Sequence, residues 1–501
     1  MRTPNAISAM SALPTFWKHL LTVLGGSLAA QALPIAAAPL ITRLCSPAEL
    51  GAFSVWLGVV AIAAVAATLR MEFAMVVDPA PIRQRLCFGV VAWSSGWLAL
   101  LLTLALIAAR LLDLVALSWP GVLTLGMAAW LTAGMQTTLA YATSHNGFAA
   151  AAKARIAAAG GVAAVQLALL GLLAMPLFAT TAGSRPWWGA QLAGVGADAL
   201  MAGQLAGLAI GLLVARKLLR LPLRSLPKSP LPLSQKNPLR SAQESSVQVS
   251  QDASLQALAH RWALPWLLWL RRLRHRGLAA LLPTAAQRRY LRRHRAFWRF
   301  TLPSSLLNAA VGQLPLLIIG ARHGALAAGL FALTQRVLAA PISLLAASVL
   351  EVFKRESVRQ YHEHGDCRPA YRHALRVLLA LGAAPALVLW VASPALFSLV
   401  FGTDWRGAGE LAQLMAPLFF LNFVAGPLSY VFSVAGRQKI ELLWQVALFA
   451  TTVAAFVAPL SLAHNVLAYS IGYSLLYLVY LHLSYRYALD RPQAGRHHAA
   501  G

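Results

Sequence analysis

Charge is what this sequence has least of. Charged residues make up 11% of its 501 positions, and only 15 of them are acidic. A soluble globular chain carries about 25% charged residues, so this chain cannot clothe an ordinary water-exposed surface. Cysteine is nearly absent as well. Cys45, Cys87 and Cys367 lie far apart, which excludes a disulfide framework and a metal-ligand cluster. A Walker loop, a dinucleotide glycine fingerprint and a zinc-binding histidine pair are all missing. His362, His364, His497 and His498 sit in charged loop or tail sequence and read as solvated. The expectation is therefore a non-enzyme with no cofactor and no metal.

Hydrophobic residues dominate, at 59% of the chain. Runs of about twenty apolar residues recur along it, each long enough to cross a hydrocarbon core of about 30 Å. They predict an all-α, polytopic transmembrane helix bundle of about twelve helices. The spans fall near 19–42, 50–77, 86–109, 115–141, 155–179, 190–215, 300–320, 325–350, 372–400, 409–434, 440–462 and 465–485. The first run follows a polar stretch flanked by Arg2 and Lys18 and is expected to serve as an uncleaved membrane signal.

The net charge of +27 follows topology better than nucleic-acid binding, since no recognition module accompanies it. With the N-terminus in the cytoplasm, most arginines and lysines outside the central loop fall on inside segments. Arg43, Arg110, Arg185, Arg322 and Arg406 fall outside. The positive-inside rule then predicts a multi-pass protein with both termini cytoplasmic.

Three regions are expected: an N-terminal lobe of six spans over 1–215, a basic cytoplasmic loop over 216–299, and a C-terminal lobe of six spans with a tail over 300–501. The loop begins as a Pro/Ser/Gln-rich linker, about 220–255, expected to be flexible. It continues as His260–Arg276, where Trp262, Trp266 and Trp269 stand among arginines, and then as Arg288, Arg289, Arg292, Arg293 and Arg295. Tryptophan mixed with arginine suits an interfacial helix on anionic membrane lipids; a solvated basic loop that only enforces topology is the bland alternative.

The halves repeat one another. Gln31-Ala32-Leu33-Pro34, Arg43 and Gly51-Ala52-Phe53 are answered by Gln313-Leu314-Pro315, Arg322 and Gly329-Leu330-Phe331. Six spans per half makes this a parallel pseudo-symmetric repeat, an architecture that places substrate between the halves.

Ionisable groups within spans cost about 2.5–3.5 kcal/mol each on insertion scales. Arg336 stands about 16 Å into span eight, too deep to snorkel out. With Gln335 beside it, it is a candidate cationic site for phosphate, whose oxygens a guanidinium engages bidentately. Pairing with a buried carboxylate is the bland alternative, and Asp198 in span six is the other deep charge. Arg70 and Glu72 at the end of span two read either as a gating or substrate-binding pair or as membrane anchors. Gln31 and Gln313 are further substrate-binding candidates, and Asp198, Arg43 and Arg322 coupling or gating candidates.

The strings are similar to those of the Wzx-type polysaccharide (O-antigen) flippases of the multidrug/oligosaccharidyl-lipid/polysaccharide exporter superfamily. The resemblance rests on Pro39 to Pro47 with Gly51-Ala52-Phe53, on Leu69 to Ala74, and on Phe297 to Pro303 leading to Gln313-Leu314-Pro315. It continues through Ala328 to Val337 with Pro341, Phe401 to Gly409, and Gly436 to Lys439 leading to Leu443-Trp444-Gln445. Cys45 stands where the family has an aromatic residue, and the 216–299 loop is longer than usual. The resemblance implies a bacterial inner-membrane transporter with a central cationic cavity. It would carry undecaprenyl-pyrophosphate-linked oligosaccharide to the periplasmic leaflet, alongside other polysaccharide-assembly proteins. A cation-coupled drug antiporter of the same superfamily is the first alternative, though it would need cavity carboxylates. A membrane glycosyltransferase or polymerase acting on the same lipid is the second.

Overall fold

The structure, a computed structural model, describes residues 30–77, 80–114, 117–145, 147–174, 195–219, 283–341, 346–364, 366–435 and 438–489. The linker near 220–255 and the Trp/Arg segment His260–Arg276 lie outside these residues, as do the N-terminal 29 and the C-terminal tail.

Every regular element among the described residues is helical. Residues 30–44 form α1. There follow α2 (Pro47–Thr68), α3 (Met71–Val77), α4 (Pro81–Leu111), α5 (Trp119–Ser144), α6 (Phe148–Leu173) and α7 (Val195–Leu218). The second half contains α8 (Ala285–Arg293), a π-helical turn (Phe297–Thr301), α9 (Leu302–Pro341), α10 (Ala347–His364) and α11 (Arg368–Phe401). A 3-10 turn (Thr403–Trp405), α12 (Arg406–Leu428), α13 (Tyr430–Val434), α14 (Gln438–Val457) and α15 (Leu462–Tyr487) complete it. Eight described helices are long and apolar enough to cross a membrane, in agreement with the polytopic helix bundle expected from the apolar runs.

Helix starts follow local chemistry. Ser46 caps α2 in a capping box with Glu49, and Pro47 occupies the first turn, where its missing N–H costs nothing. Ser118 caps α5 by accepting the Gly121 N–H, and Ser461 caps α15 by accepting the His464 N–H. Span two does not run unbroken to residue 77 as its apolar pattern predicts. Leu69 and Arg70 both adopt positive φ, 50° and 56°, which ends α2. Two consecutive side-chain-bearing residues in that region are strained, and the Thr68 hydroxyl supports the turn by accepting the Arg70 N–H at 3.2 Å.

The longest element, α9, is a hairpin of two helical arms. Its one non-helical residue is Gly324, at φ 83° and ψ 176°. Glycine reaches that conformation without a Cβ clash, so the chain reverses without a loop. The helix α2 lies along both arms. A Cβ placed on Gly58 would meet Gln313 and Leu317 of the first arm, while one on Gly51 would strike Ala325 and Gly329 of the second. Around this contact, α2, α4, α5, α6 and α7 pack as one set, and α11, α12, α14 and α15 as another. One apolar cluster runs through both sets, from Ile41, Phe53 and Trp56 to Phe331, Trp405, Met415 and Phe456.

Candidate functional site

The two sets meet most tightly at the end of the bundle that carries Gly324. A Cβ on Gly51 would stand 1.7 Å from the Ala325 carbonyl oxygen, and one on Gly329 would stand 1.8 Å from that of Pro47. Only glycine permits backbones this close. These are the glycines of the repeated Gly-x-Phe strings, so the repeat brings its own two copies face to face. Two further bonds tie the same end. The buried Trp405 indole donates to the Thr42 carbonyl at 2.9 Å, and the Arg43 guanidinium donates to the Leu399 carbonyl at 3.2 Å.

Beyond that seal, α2 and the α9 arms diverge around a cavity of about 400 Å³. Its walls are Leu50, Phe53, Ser54, Leu57, Gly58 and Ala61 from α2, and Gln313, Leu316, Ala332, Leu333, Gln335 and Arg336 from α9. Gln313 and Arg336 each stand about a dozen residues from the Gly324 turn, so both sit ~17 Å from it at the helical rise. The hairpin thus brings three of the sequence-predicted residues, Gln313, Gln335 and Arg336, to one level. Among the described residues Arg336 pairs with no carboxylate, and the lining contains no Asp or Glu. The wall therefore offers a guanidinium and amides to a guest, which favours an anion over a cation.

The other predicted residues lie elsewhere. Gln31 is exposed on α1 and outside the cavity wall. Arg70 and Glu72 pair with each other at 3.0 Å, with Arg70 also 5.1 Å over the Phe73 ring, at the far end of α2 and away from Arg336. Asp198 is not a deep charge. It lies beside the N-terminus of α5, whose cap is Ser118. There its carboxylate accepts the Ser118 hydroxyl at 2.6 Å, where an acidic side chain is favoured by the helix dipole. Arg322 donates to the Phe456 and Ala458 carbonyls at 2.7 and 3.0 Å, satisfying the C-terminal end of α14 as basic side chains do. Arg43 serves the last turn of α11 likewise.

Sequence reading missed Glu49. Its carboxylate closes the Ser46 capping box and accepts the Gly196 N–H at 3.1 Å, joining the first turns of α2 and α7. The Ser-x-x-Glu spacing signals the box, but nothing in the sequence signals the second helix. Among the described residues no cluster of His, Cys, Asp and Glu could hold a metal ion.

Comparisons with known proteins agree with the motif resemblance. Residues 280–410 match the family described as polysaccharide biosynthesis protein. The teichuronic acid biosynthesis protein TuaB of Bacillus subtilis (strain 168) is 25% identical over 150 residues, 30% of this chain and 31% of that protein. The match thus spans about a third of that relative's length. The fold is similar to that of the lipid II flippase MurJ in an inward closed conformation, with a TM-score of 0.56, 9% identity, and coverage of 95% of this chain and 87% of that one. It is also similar to MATE in complex with MaL6, with a TM-score of 0.51, 12% identity, and coverage of 93% and 94%. The chain is a multi-pass membrane protein with the fold of these transporters.

Proposed function

We propose that this protein flips a polyprenyl-pyrophosphate-linked oligosaccharide from the cytoplasmic to the periplasmic leaflet of the bacterial inner membrane. The observation that carries the reading is the cavity that joins Arg336, Gln335 and Gln313 without an acidic residue on its wall. A pyrophosphate brings negative charge and a set of acceptor oxygens, and a guanidinium flanked by amides matches both. About 400 Å³ is the size of a small-ligand pocket. It suits the diphosphate and the sugar next to it, while the rest of the glycan and the lipid tail stay outside. The similarity to a polysaccharide biosynthesis family and the MurJ-like fold support the same class of cargo.

In this reading 1–215 and 300–501 are the two rocking lobes. The positive-inside rule puts the arginine-rich end in the cytoplasm and the Gly324 end outside. The glycine contact, the Trp405 bond and the Arg43 bond then close the outer side, and headgroup binding at Arg336 precedes their opening. A drug antiporter that exchanges cations needs carboxylates at the guest site, and the described wall supplies none.

The test is Arg336→Ala in cells whose own copy is deleted. Lipid-linked glycan is expected to accumulate on the cytoplasmic leaflet and surface glycan to disappear, with membrane expression unchanged. Normal surface glycan from this variant would remove Arg336 from the site. Normal sidedness in the deletion strain itself, together with efflux of cationic dyes by the wild type, would replace the flippase reading with the antiporter.

A further inference from the structure

The helix α8 and the turn that follows it carry six arginines between Ala285 and Thr301, namely Arg288, Arg289, Arg292, Arg293, Arg295 and Arg299, and no acidic residue. All six are exposed. The opposite face is docked. Gln287 and Tyr290 are buried, with Gln287 against Gly89 of α4 and Tyr290 in a cluster with Met71, Met75, Cys87 and Val90. The following turn touches α3 and continues directly into α9. Trp298 and Phe300 are exposed there, as aromatic residues are at a bilayer surface. One short strap therefore joins the first helix set to the α9 hairpin of the second.

The strap opposes itself electrostatically. Arg288 and Arg292, like Arg289 and Arg293, are like charges four residues apart, which destabilises a helix. A nine-residue helix is marginal alone. The capping box of Thr284 and Gln287 and the docked face support it, but the repulsion calls for counter-anions. Since α8 lies within two turns of a membrane-crossing helix, the anions within reach are lipid phosphates, which arginine stems reach by snorkelling.

We propose that the arginine face of α8 is a binding site for anionic phospholipid headgroups of the adjacent leaflet, and that their binding holds the strap down on α3 and α4. The proposal is independent of the cargo carried in the cavity.

Cys87 is a built-in reporter, because it is fully buried beneath α8. The full chain, with Cys45→Ala and Cys367→Ala, is reconstituted in phosphatidylcholine vesicles with or without one-third phosphatidylglycerol, and N-ethylmaleimide labelling of Cys87 is timed. Each arginine near an anionic surface changes the binding constant roughly fivefold, so labelling is expected to slow at least ~10-fold with phosphatidylglycerol. Replacing Arg288, Arg289, Arg292 and Arg293 by glutamine should bring the two vesicle types within twofold, while four lysines should keep most of the difference. Size-exclusion behaviour equal to wild type shows that the variants fold. Equal labelling of the wild type in both vesicles would overturn the proposal. So would a slowing that survives in the glutamine variant, or protection by a short RNA with no added effect of phosphatidylglycerol.

Discussion

Replacing Gly51 by alanine adds one methyl group at the tightest place in the bundle. The new Cβ would lie 1.7 Å from the Ala325 oxygen, whereas real Cβ atoms essentially never approach closer than 3.0 Å. The α2 and α9 backbones must therefore part by more than about 1.3 Å, and the obstacle is main chain, which cannot rotate away. Overpacking of this kind costs about 1–3 kcal/mol. In the proposed rocking mechanism the cost falls only on the state in which this end is closed, so the equilibrium should move toward opening by ~5- to 150-fold. The assay uses Ser54→Cys, on the cavity wall beyond the seal, in a chain with Cys45, Cys87 and Cys367 replaced by alanine. A membrane-impermeant maleimide applied at the Gly324 end should label it at least about fivefold faster when Gly51→Ala is present. Gly426→Ala is the control, because a Cβ there meets nothing within 4 Å. If a folded Gly51→Ala protein labels no faster than the control, the glycine contact is not the seal.

Trp405→Phe leaves the buried Thr42 carbonyl without its donor, which costs about 1–3 kcal/mol, and the same labelling should rise several-fold. Arg322→Ala frees the last carbonyls of α14; it should lower the melting temperature in detergent by a few degrees while glycan export per folded molecule stays normal, and loss of export at full expression would give Arg322 a role in transport. Removing 222–255 should leave membrane insertion and surface glycan intact, since its Pro/Ser/Gln-rich composition is that of a linker; failure of either would show that this stretch has work of its own.

Much of this architecture is legible in the sequence because membrane spans announce themselves by length and apolarity alone. The polar residues of the cavity are legible for the same reason, since a guanidinium that far into an apolar run has few explanations. Position along a helix is less so. Asp198 looks deep only while span six is taken to start near residue 190; its bond to Ser118, the cap of α5, puts it at a helix end, and no local pattern signals a partner eighty residues away. The break at Leu69 and Arg70 is invisible because neither is a residue that favours positive φ. The repeat shows in the order of its strings. That Gly51 and Gly329 touch is a fact of how α2 packs on α9, which no local signal carries. The basic helix is legible as arginine density, while its docked face rests on only Gln287 and Tyr290.

The turn at Gly324 also constrains how this protein is made. Two membrane crossings joined by one residue have no slack between them, so neither arm of α9 can settle across the bilayer while the other waits in the insertion channel. With the tip on the outer side, where the positive-inside rule puts it, the arms pass in together, tip first. The tip carries Arg322 and His323, so the advancing hairpin drags a fixed positive charge through the hydrocarbon before the α14 carbonyls exist to receive it. Synthesis of α14 comes more than a hundred residues later. Until then the hairpin is a nascent element whose charged tip has no partner within the chain, and its retention rests on the apolar length of its two arms.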